Sequence, residues 1–232
     1  MKKHYSNNSG KKKIARKPLM TALEPRLLLD GAAVVTAMDV LTDSQLYNDA
    51  FHADVSQNDN AMPLVIAPTE VRALDASLNN GKKEVVFIED NVTDYQTLID
   101  GAKEGVEVVL LDSTQDGLAQ MAQWAQTHSG YDAMHLITHG SEGQIDLGDL
   151  TLNSTVLNSR ETDLSVLGAA LNKEGDLLLY GCEVAGGEGQ DFIKALAQVT
   201  QADVAASDDL TGAVSLGGDW DLETSYGLVE TK

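Results

Sequence analysis

From Glu84 onward the chain alternates short apolar runs with amphipathic segments, and this alternation is the feature that most restricts its fold. Three mostly apolar runs have lengths suited to strands buried on both faces: residues 85–88, 106–111 and 133–138. The segments between them carry apolar residues at helical spacing: residues 93–103 and 118–125. The resulting order, βαβαβ, predicts a parallel sheet covered by helices.

The rest of the chain extends this pattern. It predicts a small hairpin, then helix, strand, helix and strand, and finally a closing hairpin: residues 145–147 with 150–152, then 164–171, 176–180, 192–199 and 202–206, and last 214–216 with 220–222. The predicted fold is therefore an α/β three-layer sandwich, in which helices flank a mainly parallel sheet and β-hairpins lie at its periphery.

The sequence divides into three predicted regions. Residues 1–33 form a disordered basic tail followed by a short apolar block, and residues 34–81 form a linker with at most one or two short helices. Residues 82–232 form the folded domain.

Charge and hydropathy exclude two classes of partner. Seven of the sixteen basic residues lie within the first 17 positions, so the rest of the chain sets nine basic residues against 36 acidic ones. A folded part this acidic repels phosphate, which predicts no nucleic-acid partner. No run of eighteen apolar residues exists, which predicts no membrane span, and Asp30 interrupts the apolar stretch that a cleavable signal peptide would need.

Two of the apolar runs end in a reactive side chain beside a glycine. Residues 133–138 lead into His139 and Gly140, and residues 176–180 lead into Gly181 and Cys182, the single cysteine of the chain. The carboxyl ends of parallel strands share one edge of a sheet, and an imidazole there can take the proton of a thiol. This pattern predicts a Cys/His catalytic pair, although a lone histidine often only bonds a carbonyl at a strand end and a lone cysteine is often buried and inert.

These motifs resemble those of a known group. Leu-Ile-Thr-His-Gly-Ser at 136–141 and Leu-Leu-Leu-Tyr-Gly-Cys-Glu-Val-Ala at 177–185 are similar to the His-Gly and Gly-Cys signatures of caspase-like cysteine peptidases. More closely, residues 84–230 resemble the DUF4347 family, a domain found in very large bacterial surface and secreted proteins. The block Leu-Glu-Pro-Arg-Leu-Leu-Leu-Asp-Gly-Ala-Ala at 23–33 is similar to the LEPR-type motif that precedes such domains.

The resemblance implies a caspase-like fold and roles for particular residues. It implies that Cys182 is the nucleophile, that His139 is the general base and acid, and that the backbone N–H groups of Gly140 and Cys182 form the oxyanion hole. The caspase pentapeptide around the cysteine is absent, so specificity for aspartate is not carried over. It further implies a secreted or cell-surface location.

Acidic residues beyond the fourth and fifth predicted strands suggest a substrate preference. Glu183, Asp208 and Asp209 are hypothesised to line a pocket for an arginine or lysine of a peptide substrate; the simpler interpretation is a solvated acidic rim. Arg26 suggests that the N-terminal segment is itself a substrate, although it would equally suit an uncut docking segment. The aspartates lack EF-hand spacing and thiol hydrolysis needs no cofactor, so neither a metal nor a cofactor is predicted.

Two functions remain open at this level. The first is a cysteine endopeptidase that processes bacterial secreted or surface proteins. The second is a catalytically silent recognition or retention module, with the same fold, near the N-terminus of a large exported adhesin-like protein.

Overall fold

The computed structural model describes residues 65–231, and no helix within that range is both long and apolar enough to cross a membrane. Ten strands occur among these residues: β1 (Thr69–Arg72), β2 (Glu84–Glu89), β3 (Glu107–Leu111), β4 (Tyr131–Ile137), β5 (Gly140–Ser141), β6 (Gln144–Leu147), β7 (Leu150–Asn153), β8 (Leu171–Tyr180), β9 (Asp203–Ala206) and β10 (Thr224–Tyr226). Four α-helices accompany them: α1 (Tyr95–Gly101), α2 (Gly117–Ala125), α3 (Glu161–Ala170) and α4 (Gly189–Thr200).

Seven of the strands form one sheet, in the order β1-β3-β2-β4-β8-β9-β10. The four pairs at its centre are parallel, and only the edge strands β1 and β10 run antiparallel to their neighbours. The predicted α/β architecture, a mainly parallel sheet flanked by helices, is confirmed.

The central strands are buried on both faces because helices cover both. Val85 and Phe87 of β2 belong to the larger apolar cluster, which also contains the buried faces of α2, α3 and α4. Val86 and Ile88 alternate with them and pack in a second cluster with Ile99 of α1. Successive strand residues point to opposite faces, so the two clusters lie on opposite sides of the sheet. Each fully buried aliphatic or aromatic side chain contributes about 1.5–3 kcal/mol to this arrangement.

A small antiparallel sheet, β5-β6-β7, lies beside the carboxyl end of β4. It contains the hairpin predicted at residues 145–147 and 150–152, with β5 as a third strand. Ile145, Leu147 and Leu152 anchor it in the larger cluster, each no more than 2% exposed. This small sheet therefore holds the chain that follows His139 against the body of the domain.

The predicted closing hairpin is wrong. Val214–Leu216 is a 3-10 helix whose Val214 and Leu216 are 73% and 83% exposed, and residues 220–222 are not in a strand. The last strand is instead β10, which pairs with β9. Trp220 packs on Tyr180 with ring centroids 5.9 Å apart, so the apolar side chain contacts the sheet although its own segment is not a strand.

The sheet also has an edge strand within residues 34–81, for which the sequence predicts a linker. Thr69–Arg72 pairs with β3, and the short helix Ala76–Asn79 follows it. The Arg72 guanidinium donates hydrogen bonds to the carbonyl oxygens of Ile99 and Ala102 at the end of α1, at 2.6 and 2.9 Å. These contacts fasten β1 to the domain even though its own sequence shows no apolar face.

Candidate active site

His139 and Cys182 follow the ends of two neighbouring parallel strands. Ile137, the last residue of β4, pairs in register with Tyr180, the last residue of β8. The Thr138 N–H still donates to the Tyr180 carbonyl oxygen at 3.4 Å. His139 and Cys182 each come two residues after these paired ends, so both leave the same edge of the sheet from adjacent positions.

The loops that carry the two residues contact each other closely. A Cβ atom on Gly140 would lie 2.7 Å from Val184 Cγ2, and one on Gly181 would lie 3.5 Å from the Gly140 nitrogen and Cα. The Gly143 N–H donates to the Val184 carbonyl oxygen at 3.1 Å. A side chain at Gly140 would push the loops apart, which explains the glycine next to the histidine.

The His139 side chain is exposed, and its Nε2 lies 3.5 Å from the Asn91 carbonyl oxygen. In the neutral imidazole, a proton on Nε2 satisfies this contact and leaves Nδ1 free to accept a proton. The Asp146 N–H donates to the His139 carbonyl oxygen at 3.0 Å, so β6 holds the histidine backbone in place. The ring is thus able to act as a base on a solvent-accessible surface.

Cys182 is half-buried, and its Sγ lies 3.8 Å from the Thr211 carbonyl oxygen. The next residue, Glu183, is exposed and has a left-handed backbone with φ of 57°. Its N–H donates to the Asp209 carbonyl oxygen at 2.7 Å. The turn after Cys182 is therefore fixed by the segment that follows β9, and the thiol faces that segment.

The acidic residues proposed for substrate binding lie around the segment that follows β9. Asp208 and Asp209 are exposed, and carboxylate oxygens of Asp209, Asp219 and Glu223 lie within 4.8 Å of one another. The Asp208 N–H donates to Glu223 Oε2 at 3.0 Å. The structure therefore brings Asp209 to the Cys182 loop, through the backbone of Glu183, and adds two carboxylates beside it that the sequence did not indicate.

A fully buried carboxylate supports the histidine loop from beneath. Glu89, at the end of β2, is 0% exposed, and it contacts the Thr138 hydroxyl at 2.6 Å and the Gly148 N–H. Burial raises the pKa of Glu89, and the hydrogen bonds from Thr138 and Gly148 and the charge of His139 offset this only in part. Glu89 thus favours its neutral, protonated form more than an ordinary glutamate does.

A protonated Glu89 completes a chain of hydrogen bonds to the histidine. The Thr138 hydroxyl also contacts the Asp146 carbonyl oxygen, and it has one proton to donate. If Glu89 donates to the Thr138 oxygen, Thr138 can donate to Asp146, whose N–H bonds the His139 carbonyl oxygen. Every polar group in this buried chain is then paired.

The sequence did not indicate Glu89, Asn91 or Thr138 as part of the site. Each lies at the carboxyl end of a strand or within two residues of it, where a polar residue is ordinarily solvated. A polar residue at the carboxyl end of a central buried strand was the available signal for Glu89. The roles of Cys182, His139 and Gly140 stay predictions, as do those of the acidic residues. Arg26 and the block at residues 23–33 lie outside the described residues.

Comparison with known proteins gives one family. A family model described as "Domain of unknown function (DUF4347)" matches residues 85–232. No curated protein sequence matches the chain.

Two solved structures show a weak likeness. A small-chain dehydrogenase has 11% sequence identity and a TM-score of 0.29, over 51% of this chain and 77% of that one. Caspase-1 from Spodoptera frugiperda has 16% identity and a TM-score of 0.27, over 53% of this chain and 57% of that one. Neither likeness is strong enough to bear on function.

Proposed function

The chain belongs to the DUF4347 family, a domain of unknown function, and from its site we propose that the domain is a cysteine endopeptidase. One observation carries the proposal: the paired ends of β4 and β8 bring a histidine and the single cysteine to one edge of the sheet. A thiol and an imidazole at adjacent strand ends are the two groups that hydrolysis through a thioester requires.

The proposed reaction proceeds in two steps. His139 takes the thiol proton of Cys182, the thiolate sulfur bonds the carbonyl carbon of the substrate, and the amine leaves with the proton from His139. His139 then takes a proton from water, the hydroxide attacks the thioester, and the carbon–sulfur bond breaks to release the acid and a thiolate, which takes the proton back from His139 to regenerate the thiol. No cofactor takes part in either step.

The backbone N–H groups of Gly140 and Cys182 are the proposed donors to the oxyanion. Support comes from the close approach of the two loops, in which the Gly140 nitrogen lies 3.5 Å from the Cβ position of Gly181. Backbone donors held by such packing need little reorganisation when negative charge develops on the substrate oxygen.

Labelling of the thiol tests the proposal directly. At neutral pH a small electrophile such as iodoacetamide is expected to modify Cys182 at least about tenfold faster than free cysteine, because in the proposed pair His139 takes the thiol proton. Replacement of His139 by alanine is expected to return the rate to that of an ordinary thiol. Intact-mass spectrometry against time measures both rates, and the single cysteine makes each added mass unambiguous.

An inert thiol in the folded protein would contradict the peptidase and favour the recognition module. The contact of Sγ with the Thr211 carbonyl oxygen is the observation on which that second function would rest, because a thiol held as a donor to a carbonyl is not activated. His128→Ala is the matched control, since His128 is a histidine that stacks on Trp124 rather than on the proposed site. It should leave the labelling rate unchanged.

We further propose that the substrate carries arginine or lysine before the cleaved bond. The carboxylates of Asp209, Asp219 and Glu223 support this, with Glu183 and Asp208 beside them. Asp209→Asn is expected to lower kcat/KM for fluorogenic peptides with arginine at that position by roughly 10- to 100-fold, as expected for the loss of one charge-assisted contact. Glu161→Gln, on the exposed side of α3, removes one charge elsewhere and should have no effect.

A preference for aspartate over arginine would overturn this specificity while leaving the peptidase itself intact. The natural setting we propose is the processing of secreted or surface proteins, with the N-terminal segment of the chain among the candidate substrates.

A further inference from the structure

A second group of carboxylates lies away from Cys182 and involves the C-terminal segment. Asp176 of β8 pairs in register with Asp203, the first residue of β9. Carboxylate oxygens of Asp176, Asp203 and Glu230 all lie within 4.8 Å of one another. Residues 227–231 cross these strands closely, because a Cβ atom on Gly227 would lie 1.7 Å from Asp203 Oδ1.

Asp176 is the unusual member of this group because it is 0% exposed. Its Oδ2 accepts hydrogen bonds from the backbone N–H groups of Glu230 and Thr231, at 3.1 and 2.7 Å. Its Oδ1 is equally buried and has no hydrogen-bond partner among the described residues. A buried carboxylate oxygen without a partner is costly, so this atom itself indicates a missing ligand.

The charge of the group is also uncompensated. Within residues 65–231, none of the three carboxylates forms an ion pair with a lysine, arginine or histidine. A cation is the simplest group that would both bond the free oxygen and offset the repulsion among the carboxylates.

We propose that Asp176, Asp203 and Glu230 bind a divalent cation of the calcium class. All three ligands are carboxylate oxygens, which hard cations prefer. Asp176 and Asp203 belong to separate strands, and calcium accepts the irregular geometry of such a site. The ion would join the C-terminal segment to β8 and β9. The ligands are far apart in sequence, which is why the search for a loop with regular spacing could not reveal them.

The site is independent of the proposed peptidase reaction and is tested without an activity assay. The full chain is treated with EDTA, dialysed, and titrated with CaCl₂ while thermal unfolding is followed by circular dichroism. At a concentration on the order of a hundredfold above the dissociation constant, Tm is expected to rise by roughly 5 °C. An equal ionic strength of NaCl corrects for screening, which matters in a chain of net charge −20.

Variants identify the site. Asp203→Asn and Glu230→Gln should each abolish most of the calcium-dependent shift, and Glu230 is exposed, so its variant keeps the fold. Glu174→Gln, an exposed carboxylate on the same strand β8, should retain the full shift. Asp219→Asn, in the acidic cluster near Cys182, should retain it as well.

Two results would overturn the inference. One is the absence of any shift beyond that of NaCl in the unaltered chain, and the other is a shift that survives both Asp203→Asn and Glu230→Gln. Loss of the shift only in Asp219→Asn would be a case of the second result and would place the ion in the acidic cluster near Cys182.

Discussion

Replacing Cys182 with alanine is expected to lower kcat for peptide hydrolysis by roughly 10³-fold or more, because no other thiol in the chain can form the thioester. The change removes one half-buried sulfur whose polar contact is with the Thr211 carbonyl oxygen, so the fold should persist. The measurement is turnover of a fluorogenic arginine peptide by wild type and variant, with Tm recorded for both.

A comparison with His139→Ala separates catalysis from contamination by another protease. Cys182 and His139 act as one unit in the proposed reaction, so the double variant should be no slower than either single variant. Alkylation of wild type should reproduce the loss, since the chain has a single cysteine to modify. Turnover that persists in Cys182→Ala would show that the activity does not belong to this site.

The core of this fold could be predicted because each central strand can be recognised from its own few residues. Residues 85–88 and 177–179 are apolar without interruption, and only a strand covered on both faces gives such a run a buried environment in a parallel sheet. The order of strands and helices then left few topologies to consider. The adjacency of β4 and β8, on which the candidate site depends, agrees with that expectation.

The edges of the sheet could not be predicted in the same way. The strands Thr69–Arg72 and Thr224–Tyr226 are mostly exposed and polar, and they are strands only because a neighbour offers unpaired backbone groups. The pairing of β1 and β10 therefore depends on the neighbouring strands β3 and β9 as much as on their own residues. Conversely, residues 214–216 and 220–222 have strand-like alternation, but neither segment is a strand.

The supporting residues of the site were hidden for a related reason. Glu89 contacts Thr138, 49 residues away, and Gly148, 59 residues away. The position of Glu89 at the carboxyl end of a buried strand is the one local sign of its role, and it does not by itself distinguish a buried glutamate from a solvated one. The catalytic residue types can be recognised one by one, whereas the residues that hold them depend on which elements meet in space.

Those contacts predict that Glu89→Ala is among the most damaging single changes in the domain. The substitution leaves the Gly148 N–H without its buried acceptor, breaks the chain through Thr138 to Asp146, and opens a cavity below the small sheet. We expect a loss of about 3–5 kcal/mol in the free energy of unfolding. Chemical denaturation measures the loss, and kcat should fall as well because the His139 backbone is no longer held.

Glu89→Gln is the matched variant that tests the protonation of this carboxyl. A glutamine can donate to the Thr138 oxygen and accept from Gly148, so it reproduces the hydrogen bonds of a protonated glutamic acid. It should therefore lose far less stability than alanine at neutral pH. Similar losses for the two variants would contradict a protonated Glu89 and point to a carboxylate.

The pH dependence of the free energy of unfolding gives a second test of the raised pKa of Glu89. Because the pKa of Glu89 is raised in the folded state, its contribution to stability is complete below its ordinary value of 4.5 and decreases as the pH rises through the folded-state pKa. The glutamine variant has no proton to lose and should lack this decrease, so its stability relative to wild type should increase as the pH rises from 4.5 through the folded-state pKa of Glu89 and should be constant above it. A stability difference that stays constant with pH would show that Glu89 has the same pKa in the folded and unfolded states. A glutamine variant that becomes less stable relative to wild type as the pH rises would show that the folded-state pKa of Glu89 is lowered.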